Sequence, residues 1–267
     1  MPDYRYADIS NVMARFGLAR GDIVVMHSDL AKFGVPAGTL DRQAICRGIV
    51  DAARDVIGPE GTLVVPTFSY SFGRDKAEKV FDLDITPSVC GVLTEYVRKE
   101  PSACRSREPM LSVAALGVKA KAVTENVSNL CLGAGSVWER LLSLDAKICN
   151  LNLNPGSTFI HYIERLMNVP YRSDIRMDGM LIENGNRVPY HVIYPGRDLN
   201  DPRTASSRAR YFERAYAEGI ARKQKVGRGF VSVASFADTA ALATRLLRAD
   251  PWAFTAAANA GPVGSLA

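Results

Sequence analysis

The sequence predicts an α/β layered fold with a largely parallel central sheet. Two observations carry this. Short apolar runs bounded by turn residues alternate with longer stretches of helical periodicity along most of the chain. The chain has 267 residues, 47% hydrophobic and 23% charged, which is ample material for one large core.

Taken in order, Asp22-Ile23-Val24-Val25-Met26 reads as a buried strand and Leu40 to Val56 as a helix ended by Gly58-Pro59. Gly61-Thr62-Leu63-Val64-Val65-Pro66 is a second strand. Ser88 to Arg98 is helical, Ser112 to Leu116 a short strand, and Ala146 to Leu151 another. Gly133-Ala134-Gly135-Ser136 is a glycine turn into a helix, with a capping serine. Asn154-Pro155-Gly156-Ser157 supplies a turn and a cap for a helix from Ser157 to Met167. In that helix Phe159, Ile160, Ile163, Leu166 and Met167 recur at helical spacing. A polar insertion follows Tyr171, around residues 173–205, with a strand from Arg187 to Tyr194. Ser206 to Glu218 and Ser235 to Leu247 are helical, and the Gly/Ala-rich tail after Phe254 is expected to fray. No repeat, low-complexity tract or linker divides the chain, so residues 1–267 are read as a single domain.

Composition excludes several classes. No run of about 18 apolar residues marks a transmembrane helix. Met1-Pro2-Asp3-Tyr4-Arg5-Tyr6 has no apolar core of a signal peptide. The five cysteines are scattered without a Cys-x-x-Cys, and read as reduced thiols of a cytoplasmic protein. With three histidines, a histidine-built metal centre is not expected. The net charge of +5 is dispersed, with no basic run of nucleic-acid type; the mild cluster Arg203, Arg208, Arg210 and Arg214 reads as a solvated helix face. A modest positive surplus also suits a phosphorylated cofactor. Gly-x-Gly-x-x-Gly, Walker A and Gly-x-Ser-x-Gly patterns are absent.

The most informative segment is Ser157-Thr158-Phe159-Ile160-His161-Tyr162-Ile163-Glu164-Arg165. Positions three apart on a helix are neighbours, so Glu164 sits beside His161. A carboxylate next to an imidazole fixes its tautomer and raises its basicity, which supplies the parts of a general base. An isolated pair of this kind is more often a structural contact; the remaining segments give this one its functional reading. Several loops follow strand ends, where α/β sheets place their sites. They are Met26-His27-Ser28-Asp29-Leu30-Ala31-Lys32-Phe33-Gly34, Val65-Pro66-Thr67-Phe68-Ser69, Phe81 to Ser88 leading to Gly91-Val92-Leu93-Thr94-Glu95, Arg105 to Gly117, Gly135-Ser136-Val137-Trp138, and the His161 segment ending in Val169-Pro170-Tyr171-Arg172.

In this order and spacing the segments resemble the aminoglycoside 3-N-acetyltransferase family, antibiotic N-acetyltransferases that use acetyl-CoA. The likeness runs from about Ile23 to Arg172 and resumes at Val226-Gly227-Arg228 and the final helix ending Asp250-Pro251-Trp252-Ala253-Phe254. The resemblance implies one α/β/α domain and transfer of an acyl group from CoA to a primary amine of an amino sugar, with no metal. It maps the catalytic histidine onto His161, with Glu164 beside it, and matches His27 to the histidine of the first loop. Ser28, Thr67, Ser69, Arg105, Ser106, Ser112 and Val113 match segments lining the CoA cleft. Arg105 and Lys32 are candidates for the CoA phosphates, backbone N–H groups of the His27 or Thr67 loops for the thioester oxyanion, and Asp82, Glu108 and Tyr162 for the acceptor. A homodimer is expected by resemblance alone. The pattern departs at Glu108-Pro109, where His-Pro is common, and at His27-Ser28-Asp29, where His-Ser-Ser is common. Phe159-Ile160 and Tyr162 look more like relatives that acylate amino sugars of surface polysaccharide or antibiotic biosynthesis. A nucleotide-linked or glycan amino sugar therefore rivals an aminoglycoside as acceptor. Two other classes stand beside these: a hydrolase using Ser28 or Ser69 with His161, and a CoA-binding protein without turnover. His191, in the insertion, reads as structural or substrate-rim.

Overall fold

The apolar runs become the central strands of a seven-stranded sheet in a computed structural model that describes residues 1–156 and 158–259; the expected cap Ser157 and the tail residues 260–267 lie outside the described residues. The chain runs α1 (Tyr6–Arg15), β1 (Ile23–Val25), α2 (Arg42–Ile57), β2 (Thr62–Pro66), β3 (Val80–Asp82), α3 (Val92–Arg98), β4 (Cys104–Arg105) and β5 (Val113–Gly117). It continues with α4 (Ala120–Thr124), α5 (Val137–Ser143), β6 (Lys147–Leu151), α6 (Phe159–Leu166), β7 (Arg172–Glu183) and β8 (Asn186–Arg197). The last elements are α7 (Ala209–Ala217), β9 (Ala221–Val226), β10 (Gly229–Ser235) and α8 (Phe236–Ala249). After them residues 256–259 close as a 3-10 turn.

The large sheet has the order β4-β5-β2-β1-β6-β10-β9. Its centre, β2-β1-β6, is parallel, while β5 and β10 run antiparallel to their neighbours on either flank. Because β4 and β9 reverse again, all strands except β5 and β10 point the same way. Side chains of these strands alternate between two cores, as the period of two requires. Ile23, Val25 and Val64 enter one apolar cluster with α5, α6, α7 and α8; Val24, Leu63 and Val65 enter the other with α1, α2 and α3. Helices thus cover both faces, an α/β/α arrangement.

Local signals account for the helix limits. Asp41 caps α2 by accepting from Ala44 N at 2.8 Å, and Gly58 ends it at φ +68°. Ser136 caps α5. The helix expected from Ser88 begins only at Val92, because the Ser88 hydroxyl accepts from Cys90 N and bonds Thr94 Oγ1, holding the preceding residues in a loop.

The insertion is a hairpin. β7 and β8 pair antiparallel from Arg172↔Arg197 to Glu183↔Asn186, joined by Asn184-Gly185 with both residues at positive φ, the geometry of a tight hairpin turn. β3 adds parallel to β7, making a second, three-stranded sheet. Arg172, at the open end of this hairpin, reaches His161 and Glu164 of α6.

Gly117 closes β5 at φ +129°, where a Cβ would press on the carbonyl oxygen of Gly61 and on Thr62. Gly117→Ala is expected to cost about 1–3 kcal/mol. Urea unfolding reads this as a lower midpoint at unchanged slope; a midpoint equal to the parent's contradicts this packing.

Candidate active site

Parallel strands deliver the site residues to one end of the sheet. β1 and β6 are adjacent and parallel, so the loops after them emerge together. The first carries His27; the second leads through Asn154 into α6 with His161 and Glu164. The two loops are stapled by Asn150, fully buried, whose Oδ1 accepts from His27 N at 3.1 Å and whose Nδ2 donates to Asn154 O at 3.0 Å.

Glu164 is 0% exposed, and every contact of its carboxylate is specific. His161 Nδ1 lies 2.5 Å from Oε2, Arg172 Nε donates to the same oxygen at 2.5 Å, and Tyr171 OH donates to Oε1 at 2.9 Å. Arg172 Nη2 stands 2.7 Å from His161 Nδ1, and its Nη1 donates to Pro195 O of β8. Burial alone would raise the Glu164 carboxyl, but the facing His161 and Arg172 and the Tyr171 hydroxyl outweigh it and hold the group at about 2. With His161 neutral, the lasting stabilisation is the Arg172 guanidinium and the hydrogen bonds from His161 and Tyr171.

His161 moves the same way for a different reason. Burial lowers its pKa to about 4; Glu164 opposes this, while Arg172 and Arg208 add to it. At neutral pH the ring is therefore uncharged. With Glu164 ionised, its oxygen 2.5 Å away can only accept, which places the ring proton on Nδ1; Arg172 Nη2, 2.7 Å from the same nitrogen, then donates nothing to it. That leaves the lone pair on Nε2, where Arg208 donates from Nη2 at 2.7 Å. Arg208 and Arg172 were not read from the sequence as site residues: Arg172 marked the end of a segment, and Arg208 was placed on a solvated helix face. Arg208 precedes α7 and reaches His161 across 47 residues of chain.

Polar atoms here lack partners. Both ring nitrogens of His27 and Nε of Arg208 are buried with no hydrogen bond. Burial and the neighbouring Arg208 lower the His27 pKa to about 4. Such orphaned groups beside the His161 imidazole are what a bound ligand would satisfy. His161 lines a cavity of about 860 Å³ together with Arg172, Ser173, Met177, Tyr194 and Arg197. A larger cleft, of about 1020 Å³, lies by β4 and α3 and does not include the dyad.

The remaining expected site residues separate into groups. Thr67, Ser106, Ser112 and Val113 are 0% exposed and do not line a cleft with their side chains. Thr67 Oγ1 and Ser112 Oγ bond each other at 3.0 Å, Ser112 Oγ donates to Thr67 O, and Ser106 Oγ accepts from Val113 N. Ser69 is buried and donates to Pro109 O at 2.8 Å. Arg105 borders the larger cleft, but its guanidinium donates to the carbonyls of Thr67, Leu83 and Thr86 and stacks over Phe81, so it braces three loops. Tyr162 is buried in the core against Phe159, not at the acceptor rim. Asp82 Oδ1 accepts from Asp84 N and Ile85 N and holds a turn. Glu108 is buried, accepting from Met110 N, Leu111 N and the Cys131 thiol. The N–H groups of His27 and Thr67 are also taken, by Asn150 Oδ1 and Ser112 O, so neither serves an oxyanion. Ser28, half-buried in the His27 loop, and Lys32, exposed and 4.0 Å from Asp29, remain accessible. His191, on β8 of the hairpin, bonds Asn129 at 2.6 Å.

The profile of the aminoglycoside 3-N-acetyltransferases matches residues 25–248. The chain belongs to the aminoglycoside 3-N-acetyltransferase family. It is similar to aminoglycoside N(3)-acetyltransferase IX of Micromonospora chalcea, 29% identical over 198 residues that cover 67% of this chain and 68% of that protein. It is similar also to aminoglycoside N(3)-acetyltransferase VII of Streptomyces paromomycinus, 27% identical over 194 residues, 66% of this chain and 65% of that protein. The match thus spans about two thirds of the length of these curated relatives. Among solved structures, AAC-IIIb in a binary complex with CoASH shares the fold at a TM-score of 0.75 and 24% identity, covering 92% of this chain and 96% of that one. In this member of the aminoglycoside 3-N-acetyltransferase family, the Glu108 that departs from the common His-Pro is an internal brace of its own loop.

The two depressed histidines make stability depend on pH. His27 and His161 titrate near 4 when folded and near 6.5 otherwise, so between those values the unfolded chain binds more protons. Their contribution is complete above about 6.5 and is lost as pH falls toward 4. Urea titrations from neutral pH down through this window should show falling stability, with a shallower slope in a His27→Asn, His161→Asn double variant. Equal slopes in parent and variant contradict these shifts.

Proposed function

We propose that this protein is a CoA-dependent N-acyltransferase that moves an acetyl group from acetyl-CoA to a primary amine of an amino sugar. The observation that supports it most is the dyad: an imidazole whose Nδ1–H is clamped by a buried carboxylate, lining a cavity, in a chain of this family. An ammonium group cannot attack a thioester until it loses a proton. Nε2 of His161 takes that proton, and Glu164 stabilises the imidazolium that forms. The amine nitrogen then bonds to the thioester carbonyl carbon, the C–S bond breaks, the proton on Nε2 passes to the departing thiolate, and the nitrogen loses its second proton to solvent as the amide forms. The AAC-IIIb complex with CoASH lends support to CoA as the acyl carrier. Here the His27 loop, with unpartnered ring nitrogens and accessible Ser28 and Lys32, is our candidate to receive the thioester arm and a phosphate.

We read the chain as one acyltransferase unit in which the hairpin 172–197 is the acceptor-side insertion, since Arg172, Ser173, Ile175, Met177, Tyr194 and Arg197 all come from it to the cavity wall. A hydrolase gains no support: the partners of His161 are Glu164, Arg172 and Arg208, not Ser28 or Ser69.

Steady-state kinetics with acetyl-CoA and an amine panel test this reading. His161→Ala should lower kcat on the order of 10²–10⁴-fold with thioester affinity kept, and Glu164→Gln should act in the same direction by a smaller factor. Parental turnover in His161→Ala would remove the reading.

A further inference from the structure

When an amine attacks a thioester, the carbonyl π electrons move onto oxygen, and the anion so formed needs donors already beside it. Two backbone candidates are spent: His27 N donates to Asn150 Oδ1 and Thr67 N to Ser112 O. Arg172 is occupied by Glu164 and by Pro195 O. Arg208 has donors to spare. Its Nη2 stands 2.7 Å from Nε2 of His161, the atom that takes the ammonium proton, and its Nε is buried with no hydrogen bond. Glu164 attracts its charge and Arg172 repels it. Arg208 does not belong to the wall of the cavity of about 860 Å³ that His161 shares with the hairpin. It lies close enough to His27 to add to the effect of burial on that ring, whose own two nitrogens are buried without partners. The acceptor thus has the hairpin cavity as its approach and the thioester the His27 loop, and Arg208 touches His161 between them.

Resting on the reading of His161 as the base, we propose that Arg208 is a further catalytic residue: its guanidinium is the donor that holds the thioester oxyanion. The distances agree. A base lies about 2.6–3.2 Å from the atom whose proton it takes, and the reacting nitrogen and carbon approach to about 3–3.5 Å. A donor 2.7 Å from Nε2 is therefore within a small side-chain adjustment of the carbonyl oxygen. The incoming ammonium donates to Nε2 and displaces Nη2, which turns to that oxygen. Attack moves the π pair onto the oxygen beside the guanidinium. When the C–S bond breaks, the pair returns to the carbonyl, the thiolate takes the proton from Nε2, and the nitrogen gives its second proton to solvent. The guanidinium gains most where the oxygen carries full charge, so its stabilisation falls on the transition state rather than on the bound thioester. Arg208 is largely withdrawn from water, where such a donor counts for more than on a surface. Moving a proton from the acceptor ammonium to His161 leaves the number of positive charges around Arg208 unchanged, so the guanidinium does not oppose that step.

The experiment measures kcat and KM with acetyl-CoA and with sisomicin or glucosamine as acceptor, in the parent, Arg208→Ala, Arg208→Lys and His161→Ala. Arg208→Ala should lower kcat by about 10²–10³-fold, the loss for one oxyanion donor, at near-parental KM for both substrates. Arg208→Lys, which keeps the charge without the planar fork, should lose less. Guanidinium chloride at millimolar concentration should restore part of the turnover of Arg208→Ala and none of that of His161→Ala. A merely structural role does not give that recovery, which also shows that the variant folds. The proposal is overturned if Arg208→Ala turns over at or above the parental rate, as it would were Arg208 only a cap on Nε2. It is overturned too if the loss lies in KM, or if neither lysine nor guanidinium recovers any of it. His161→Ala keeps the two readings apart. An inactive His161→Ala beside a fully active Arg208→Ala removes the role of Arg208 alone. A fully active His161→Ala removes the base and this proposal with it, as does a parent that acetylates neither amine.

Discussion

The site depends on one buried negative charge. Glu164 lies on the helix α6, fully withdrawn from solvent, and a carboxylate in that position is tolerable only when donors surround it. The donors come from three places: His161 one turn earlier, Tyr171 in the connection, and Arg172 at the start of β7. Arg172 in turn donates to Pro195 O on β8. The same charge that orients the imidazole therefore anchors the base of the hairpin that forms the cavity wall. The orientation of the imidazole and this part of the cavity wall are held by one ion-pair network, so disturbing either disturbs the other.

The sheet supplies the remaining constraint. In the large sheet β1 pairs parallel with β2 and with β6, and the ends of β1 and β6 release His27 and the approach to α6 side by side. Asn150 holds these two loops through a backbone N–H of one and a carbonyl of the other. The antiparallel strands outside them contribute support and cover, while the buried hydroxyls of Thr67, Ser106 and Ser112 knit adjacent loops.

Much of this was legible in the sequence, and the exceptions have physical causes. β1 and β5 are apolar runs, and β2 and β6 are so apart from Thr62, Lys147 and Asn150, because both faces of the sheet are covered. α2, α6 and α8 carry clear periodicity. The dyad was readable because helical spacing alone brings residues three apart together. By the same geometry Tyr162, one position on, turns from the dyad's face to the core. β9, Ala221–Val226, is an edge strand whose four central residues are charged or polar and gives no apolar signal. Only one strand of the hairpin was anticipated, since β7 is studded with exposed charges. Glu108, Asp82 and Arg105 belonged to the right segments, yet their polar groups are spent on neighbouring backbone. Arg208 reads locally as one cation of a solvated face; folding alone carries it to His161.

The central claim is that burial keeps His161 a neutral ring while the Glu164 carboxylate holds the ring proton on Nδ1. Nitrogen-15 NMR of the histidine side chains at neutral pH measures this directly. The account predicts a protonated Nδ1 and an unprotonated Nε2 for His161, with that tautomeric bias lost in Glu164→Gln. An imidazolium at neutral pH, or a proton resident on Nε2, would contradict it.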